Sequence, residues 1–87
     1  MQLNCYPCLA RLEDGRLLLV WCHQVRTGGS IVGAFSGDHG RTWSAPATLI
    51  QTPNARDYDP SVVVCGKRVL VTSTTLPPGG GIRTSTT

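Results

Sequence analysis

Apolar residues come in short runs separated by turn-forming polar residues and glycines. Tyr6 to Leu12 and Arg16 to Cys22 flank Glu13-Asp14-Gly15, where a glycine after an acidic residue supplies the positive φ of a tight turn. This predicts a β-hairpin. After a polar, glycine-bearing loop from His23 to Gly29, Ser30 to Phe35 reads as a third strand, and Ala47 to Ile50 as a fourth beyond a second tight turn. The runs are rich in Val, Ile, Leu and Thr and show no sustained helical period, so the expected class is all-β. The four strands are expected to form one antiparallel meander.

The pattern then begins again. Asp59-Pro60-Ser61-Val62-Val63-Val64 mirrors Tyr6-Pro7-Cys8-Leu9-Ala10-Arg11, and Lys67 to Val71 mirrors Gly15 to Leu19, at an offset of 52 to 53 residues. Gly79-Gly80-Gly81-Ile82 aligns with Gly28-Gly29-Ser30-Ile31, which sets Thr87 level with Ser36. A four-stranded repeat of about 50 residues has the length of a β-propeller blade, and the amphipathic helix of a helical solenoid is missing. The expectation is therefore about one and a half blades: one over residues 4–50 and the start of the next over 59–87. A blade cannot bury both faces by itself, so the chain reads as a fragment of a ring, poorly soluble alone because faces and edges are uncovered.

Composition narrows the partners. The net charge of +3 comes from seven scattered arginines and one lysine, without the run of like charge that marks a nucleic-acid surface. No apolar run approaches the roughly 20 residues of a membrane span, and the N-terminus lacks the basic-then-apolar order of a signal peptide. Cys5, Cys8, Cys22 and Cys65 include one C-x-x-C pair but no second pair and no zinc-finger histidine spacing, so neither a metal site nor a cofactor is expected. The cysteines read as small buried hydrophobes; a disulfide between Cys8 and Cys22 across the hairpin is the alternative.

Between the third and fourth strands, Ser36-Gly37-Asp38-His39-Gly40-Arg41-Thr42-Trp43 fits S-x-D-x-G-x-x-W at Ser36, Asp38, Gly40 and Trp43. This segment resembles the Asp box, or bacterial neuraminidase repeat, of the sialidase superfamily. Arg56 to Val64 is similar to the D-P-[ST]-V-[IV]-V start of a second sialidase blade. The resemblance implies a six-bladed propeller acting as an exo-glycosidase on terminal sialic acid or a related sugar, with a secreted or periplasmic location. Asp38 invites a catalytic reading, since glycosidases use paired carboxylates. The turn chemistry favours a structural one: Asp38 accepting turn amides, Gly40 left-handed, Trp43 packed between strands.

Turns joining strands one to two and three to four share one rim of such a fold, and the two-to-three loops and connections between blades share the other. The resemblance places substrate on the second rim, which singles out His23, Gln24 and Arg26, and Asn54 to Asp59. An arginine grips a sugar carboxylate and an aspartate beside it accepts from hydroxyl or acetamide groups. Asp59 falls where the family lines the N-acyl side of its pocket, while Arg56 and Asp57 read equally as a solvated surface pair. The family's first blade opens with Arg-Ile-Pro; here the stretch is Cys5-Tyr6-Pro7, and no Asp or Glu stands between Asp14 and Asp38 to serve as acid/base. The tyrosine nucleophile and its glutamate would belong to later blades, so no catalytic residue is assigned. A propeller that binds glycan or protein without cleaving, or another Asp-box exo-glycosidase such as an exo-arabinanase, stands as the alternative.

Overall fold

The computed structural model describes residues 2–25, 28–53, 55–76 and 83–86. They form seven strands: β1 (Gln2–Arg11), β2 (Leu17–Val25), β3 (Gly28–Ser36), β4 (Ala47–Ile50), β5 (Arg56–Cys65), β6 (Arg68–Leu76) and β7 (Arg83–Thr86). No helix occurs among the described residues. The first unit is the antiparallel meander β1-β2-β3-β4, and β5-β6-β7 begins a second. One parallel contact, Gly29 opposite Arg56, joins the two into an open, mostly antiparallel sheet.

The hairpin glycines act as the turn chemistry requires. Gly15 and Gly66 adopt φ of 91° and 59°, a region L side chains avoid, and the Leu12 amide closes the first turn on the Arg16 carbonyl at 2.8 Å.

The sequence repeat is written into the hydrogen-bond register. Asn4 opposes His23 as Asp57 opposes Thr75; Cys5 opposes Cys22 as Tyr58 opposes Thr74; Leu9 opposes Leu19 as Val62 opposes Val71. Each first strand breaks register at one place, between Cys5 and Cys8 and between Tyr58 and Ser61. At those bulges Tyr6 and Asp59, each followed by proline, take φ of 54° and 50°. The proline removes a ladder donor, so the strand must bulge where it stands.

Successive strand residues point to opposite faces, and β2 alternates strictly between half-buried and buried. We call the face with Leu18, Val20, Cys22 and Gln24 the front and that with Leu19, Trp21 and His23 the back. The front of the first unit packs on the back of the second: Leu18, Val20, Cys22, Ile31 and Ile50 form one core with Val71, against which Val62 and Val64 pack. Cys22 and Gln24 also donate across this seam to the Asp57 carbonyl, at 3.1 and 2.9 Å.

Several expectations need correction. The loop expected from His23 to Gly29 is mostly strand: β2 runs on through Val25 and β3 starts at Gly28, because Gln24 and Ser30 are buried and complete the ladder. The bulge in β1 slides the register so that Cys22 faces Cys5, while Cys8 faces Val20. The cysteines are free, and the Cys8–Cys22 disulfide does not form. The third-strand alignment also moves: Thr84 opposes Thr74 as Ile31 opposes Cys22, an offset of 53 where the glycine match gave 51. Gly79 to Ile82 lie outside the described residues.

Candidate functional site

The two ends of the strands differ in chemistry. At one end the β1–β2 and β5–β6 turns meet around a hollow lined by Leu12, Asp14, Arg16, Gly66 and Lys67. The Asp box leaves β3 at this same end, since Ser36 pairs with Leu17. Its geometry is that of a self-contained turn. Asp38 Oδ1 accepts from the Thr42 amide at 2.9 Å and the Ser36 hydroxyl at 2.8 Å, Oδ2 accepts from the Thr42 hydroxyl, and Ser36 Oγ accepts the Gly40 amide at 2.8 Å. These bonds, those from Thr42 foremost, hold the Asp38 carboxyl down at about 2, well below the range of a glycosidase acid. Gly40 is left-handed at φ 89°. Trp43 does not pack between strands as expected: it is 39% exposed, lying over the turn with Nε1 donating to the Gly40 carbonyl at 3.0 Å.

At the opposite end the facing ends of β2 and β3 meet described residues of the connection between units around a cleft of about 360 Å³, lined by His23, Ser30, Gln51, Thr52, Pro53 and Ala55. Arg56 anchors it from below. Its Nη1 donates to Gln24 Oε1 at 2.9 Å, the Val25 carbonyl at 3.0 Å and the Gly28 carbonyl at 3.2 Å, tying the second unit to the β2–β3 turn of the first. Gln24 reaches this position because residue 29 is glycine: a Cβ there would meet the Gln24 amide at 2.1 to 2.4 Å.

Asp57 is fully buried. Its carboxylate accepts from the Thr52 amide at 3.0 Å, the Thr52 hydroxyl at 3.1 Å and the Thr75 hydroxyl at 2.7 Å, clamping the connection to β6. A buried carboxylate needs such donors. The solvated Arg56–Asp57 surface pair considered from sequence is therefore absent; both side chains bind the protein's own backbone and hydroxyls.

Asp59 is exposed on the β5 bulge, its conformation strained for a side-chain-bearing residue. It lies close enough to Cys22 for its charge to add a little to the rise of that thiol, which burial pushes up to about 11. His23 projects from the back face of β2 with Nδ1 2.9 Å from Asn4 Oδ1. The same oxygen accepts from Trp21 Nε1 at 3.1 Å. Arg26 and Asn54 lie outside the described residues.

The structure thus brings His23, Arg56 and Asp57 to one end of the strands with the connection, and leaves Asp59 below them on β5. Sequence reasoning missed Gln51, Thr52 and Ser30 as cleft lining. It also missed Tyr6, the bulge counterpart of Asp59, which is 56% exposed; the matching Tyr-Pro and Asp-Pro pairs were the available signal. Among the described residues no group of three or more His, Cys, Asp or Glu side chains is placed to hold a metal ion, and no helix is long and apolar enough to cross a membrane. Compared with known proteins, the chain matches no family model, no curated relative and no solved structure.

Proposed function

We propose that the two units are consecutive blades of a sialidase-like six-bladed propeller, and that the rim formed by the β2–β3 turn and the connection between units faces a carbohydrate. The observation that carries the reading is the Asp-box turn at Ser36–Trp43, satisfied within itself, at the strand ends opposite the cleft. That separation leaves the acidic and polar side chains of the other rim as the groups for a sugar. Asp59 is the residue assigned to it: an exposed carboxylate on a strained bulge accepts hydroxyl or amide donors without first breaking an internal bond. Arg56 and Asp57 are positioning residues for the rim, since their polar atoms already hold the turn and the connection.

The parent activity under this proposal is exo-glycosidase chemistry on terminal sialic acid or a related sugar, with nucleophile and acid/base residues contributed by other blades. A specific observation favours the alternative of recognition without cleavage. Cys5 stands where the family resemblance calls for the carboxylate-binding arginine, and its side chain packs into the core between the units. No cation is offered there.

The test is a fluorogenic sialoside assay on the complete reading frame containing these residues, paired with Asp59→Ala. Turnover that falls about tenfold or more, equivalent to ~1.4 kcal/mol of lost transition-state binding, supports the assignment. Turnover untouched by Asp59→Ala removes Asp59 from the pocket. Sialoside binding without turnover decides for the recognition reading, and neither binding nor turnover defeats both.

A further inference from the structure

Of the four cysteines, Cys5 and Cys22 alone stand opposite each other in the strand register; Cys8 faces Val20 and Cys65 faces Arg68. Residues directly opposite in an antiparallel pair have Cα atoms about 4.5 to 5.5 Å apart, inside the span that a disulfide bridges. The two side chains share one face. Cys22 belongs to the core between the units and Cys5 packs against it, with the Cys5 thiol directed at the Cys22 carbonyl, 3.8 Å away. The repeat does not call for this pair, since Tyr58 and Thr74 hold the same places in the second unit.

The two thiols differ in access. Cys5 is half-buried between the exposed Asn4 and Tyr6, whereas Cys22 is fully buried and burial pushes its thiol up to about 11. Cys5 is therefore the thiol that a reagent reaches first, and Cys22 the one behind it. Cys22 is also the hub of the seam between the units. Its S–H donates to the Asp57 carbonyl at 3.1 Å, and its sulfur accepts from Gln24 Nε2 at 2.6 Å. The same Nε2 reaches the Asp57 carbonyl at 2.9 Å. Loss of the S–H leaves Gln24 as the side chain that still donates to this carbonyl across the seam.

We propose that Cys5 and Cys22 are a reversible oxidation site whose oxidant is a low-molecular-weight disulfide, and that the cross-strand bond so formed loosens the second unit from the first. The Cys5 thiolate attacks one sulfur of the reagent, breaks its S–S bond, releases one thiol and is left as a mixed disulfide. The Cys22 thiolate then attacks the Cys5 sulfur and expels the second thiol. Two protein thiols are oxidised as one reagent disulfide is reduced to two thiols, which carry away the two protons. The pair lies at the seam inside the chain, so its chemistry does not depend on what covers the outer faces. It also uses no carbohydrate chemistry: a failed sialoside assay leaves it standing, and its own failure leaves the rim reading standing.

The experiment treats the full 87-residue chain and its Cys8→Ala variant with oxidised glutathione, followed by digestion without reduction and mass spectrometry. Cys8→Ala is needed because Cys5 and Cys8 share a tryptic peptide; if it fails to fold, fragmentation of that peptide from the unsubstituted chain separates the two. The expected product is a linked pair of peptides joined at Cys5 and Cys22, two hydrogens lighter than the free pair and released by dithiothreitol. Hydrogen exchange then reads the seam. The amides of Asp57 and Thr75 are expected to exchange severalfold faster in the oxidised chain than in the reduced one, with no such rise in the hairpin from Leu9 to Leu19. Cys5→Ser, or Cys5→Ala if circular dichroism shows that the serine variant does not fold, should show neither the link nor the faster exchange after the same treatment. Cys22 left as a thiol while Cys5 carries glutathione overturns the proposal. So does Cys22 linked to Cys8 or Cys65 as readily as to Cys5, or a Cys5–Cys22 bond that leaves exchange at Asp57 and Thr75 unchanged.

Discussion

Asp38 uses both carboxylate oxygens on its own turn, and that fixes how the turn responds to acid. Its folded pKa of about 2 lies below the ordinary value of 3.8, so the contribution is present above about 4 and lost as the pH falls through 2. Thr42→Val, which removes the hydroxyl donor, is expected to bring the Asp38 titration back toward its ordinary value, read by NMR of the carboxyl carbon. An Asp38 titration that does not move would contradict the bonding described. The interface between units supplies a sharper contrast. Asp57→Ala strips acceptors from Thr52 and Thr75 and is expected to cost about 2–4 kcal/mol. Ser73→Ala, at the one buried side-chain polar atom without a hydrogen-bond partner among the described residues, is expected to be neutral or stabilising. Urea melts of the two variants test this pair, and equal losses would refute it. Much of this residue chemistry was legible beforehand: the S-x-D-x-G-x-x-W spacing announced a turn satisfied by its own Asp. The role of Asp57 was not, because an Asp in a connection reads as solvated until the fold shows Thr75 beside it.

At the scale of elements, the strands and the hairpin between Leu12 and Leu17 could be read from apolar runs and a glycine after an acidic residue. The β2–β3 turn could not. Gln24 and Ser30 look like loop residues, but pairing extends through them since Arg56, 32 positions after Gln24, supplies the guanidinium that satisfies the Gln24 carbonyl. Polarity in sequence was answered by a partner distant in sequence. A Cβ at residue 29 would meet the Gln24 amide, so Gly29→Ala is expected to push that amide out of its place and release Arg56. The expected result is loss of exchange protection at the amides of Gly28 and Ser30, with the Leu12–Leu17 hairpin unaffected. Protection retained at both would show that Gln24 has another route. The Cys5–Cys22 pairing was hidden for a different reason: counting from the hairpin turn sets Cys22 opposite Tyr6, and only the Pro7 bulge, which absorbs one residue, moves the register to Cys5.

For the whole molecule, the repeat in sequence announced two equivalent units, and the structure adds the direction in which they stack. Front on back is an asymmetric arrangement: the first unit's Leu18, Val20 and Cys22 meet the second unit's Val71, so the two units use opposite faces. This also explains where the large apolar residues remain exposed, with Leu9 on one open face and Val63 and Leu70 on the other.

The stacking itself is most directly tested by residue-resolved thiol alkylation followed by mass spectrometry. Cys22 lies under the second unit with its thiol raised to about 11 by burial, whereas Cys65 is exposed at the end of β5. The account predicts that Cys65 reacts first and Cys22 last, at a rate that follows global unfolding as urea is added. Cys22 reacting as fast as Cys65 in the absence of urea would mean that the second unit does not cover the first, and would contradict it.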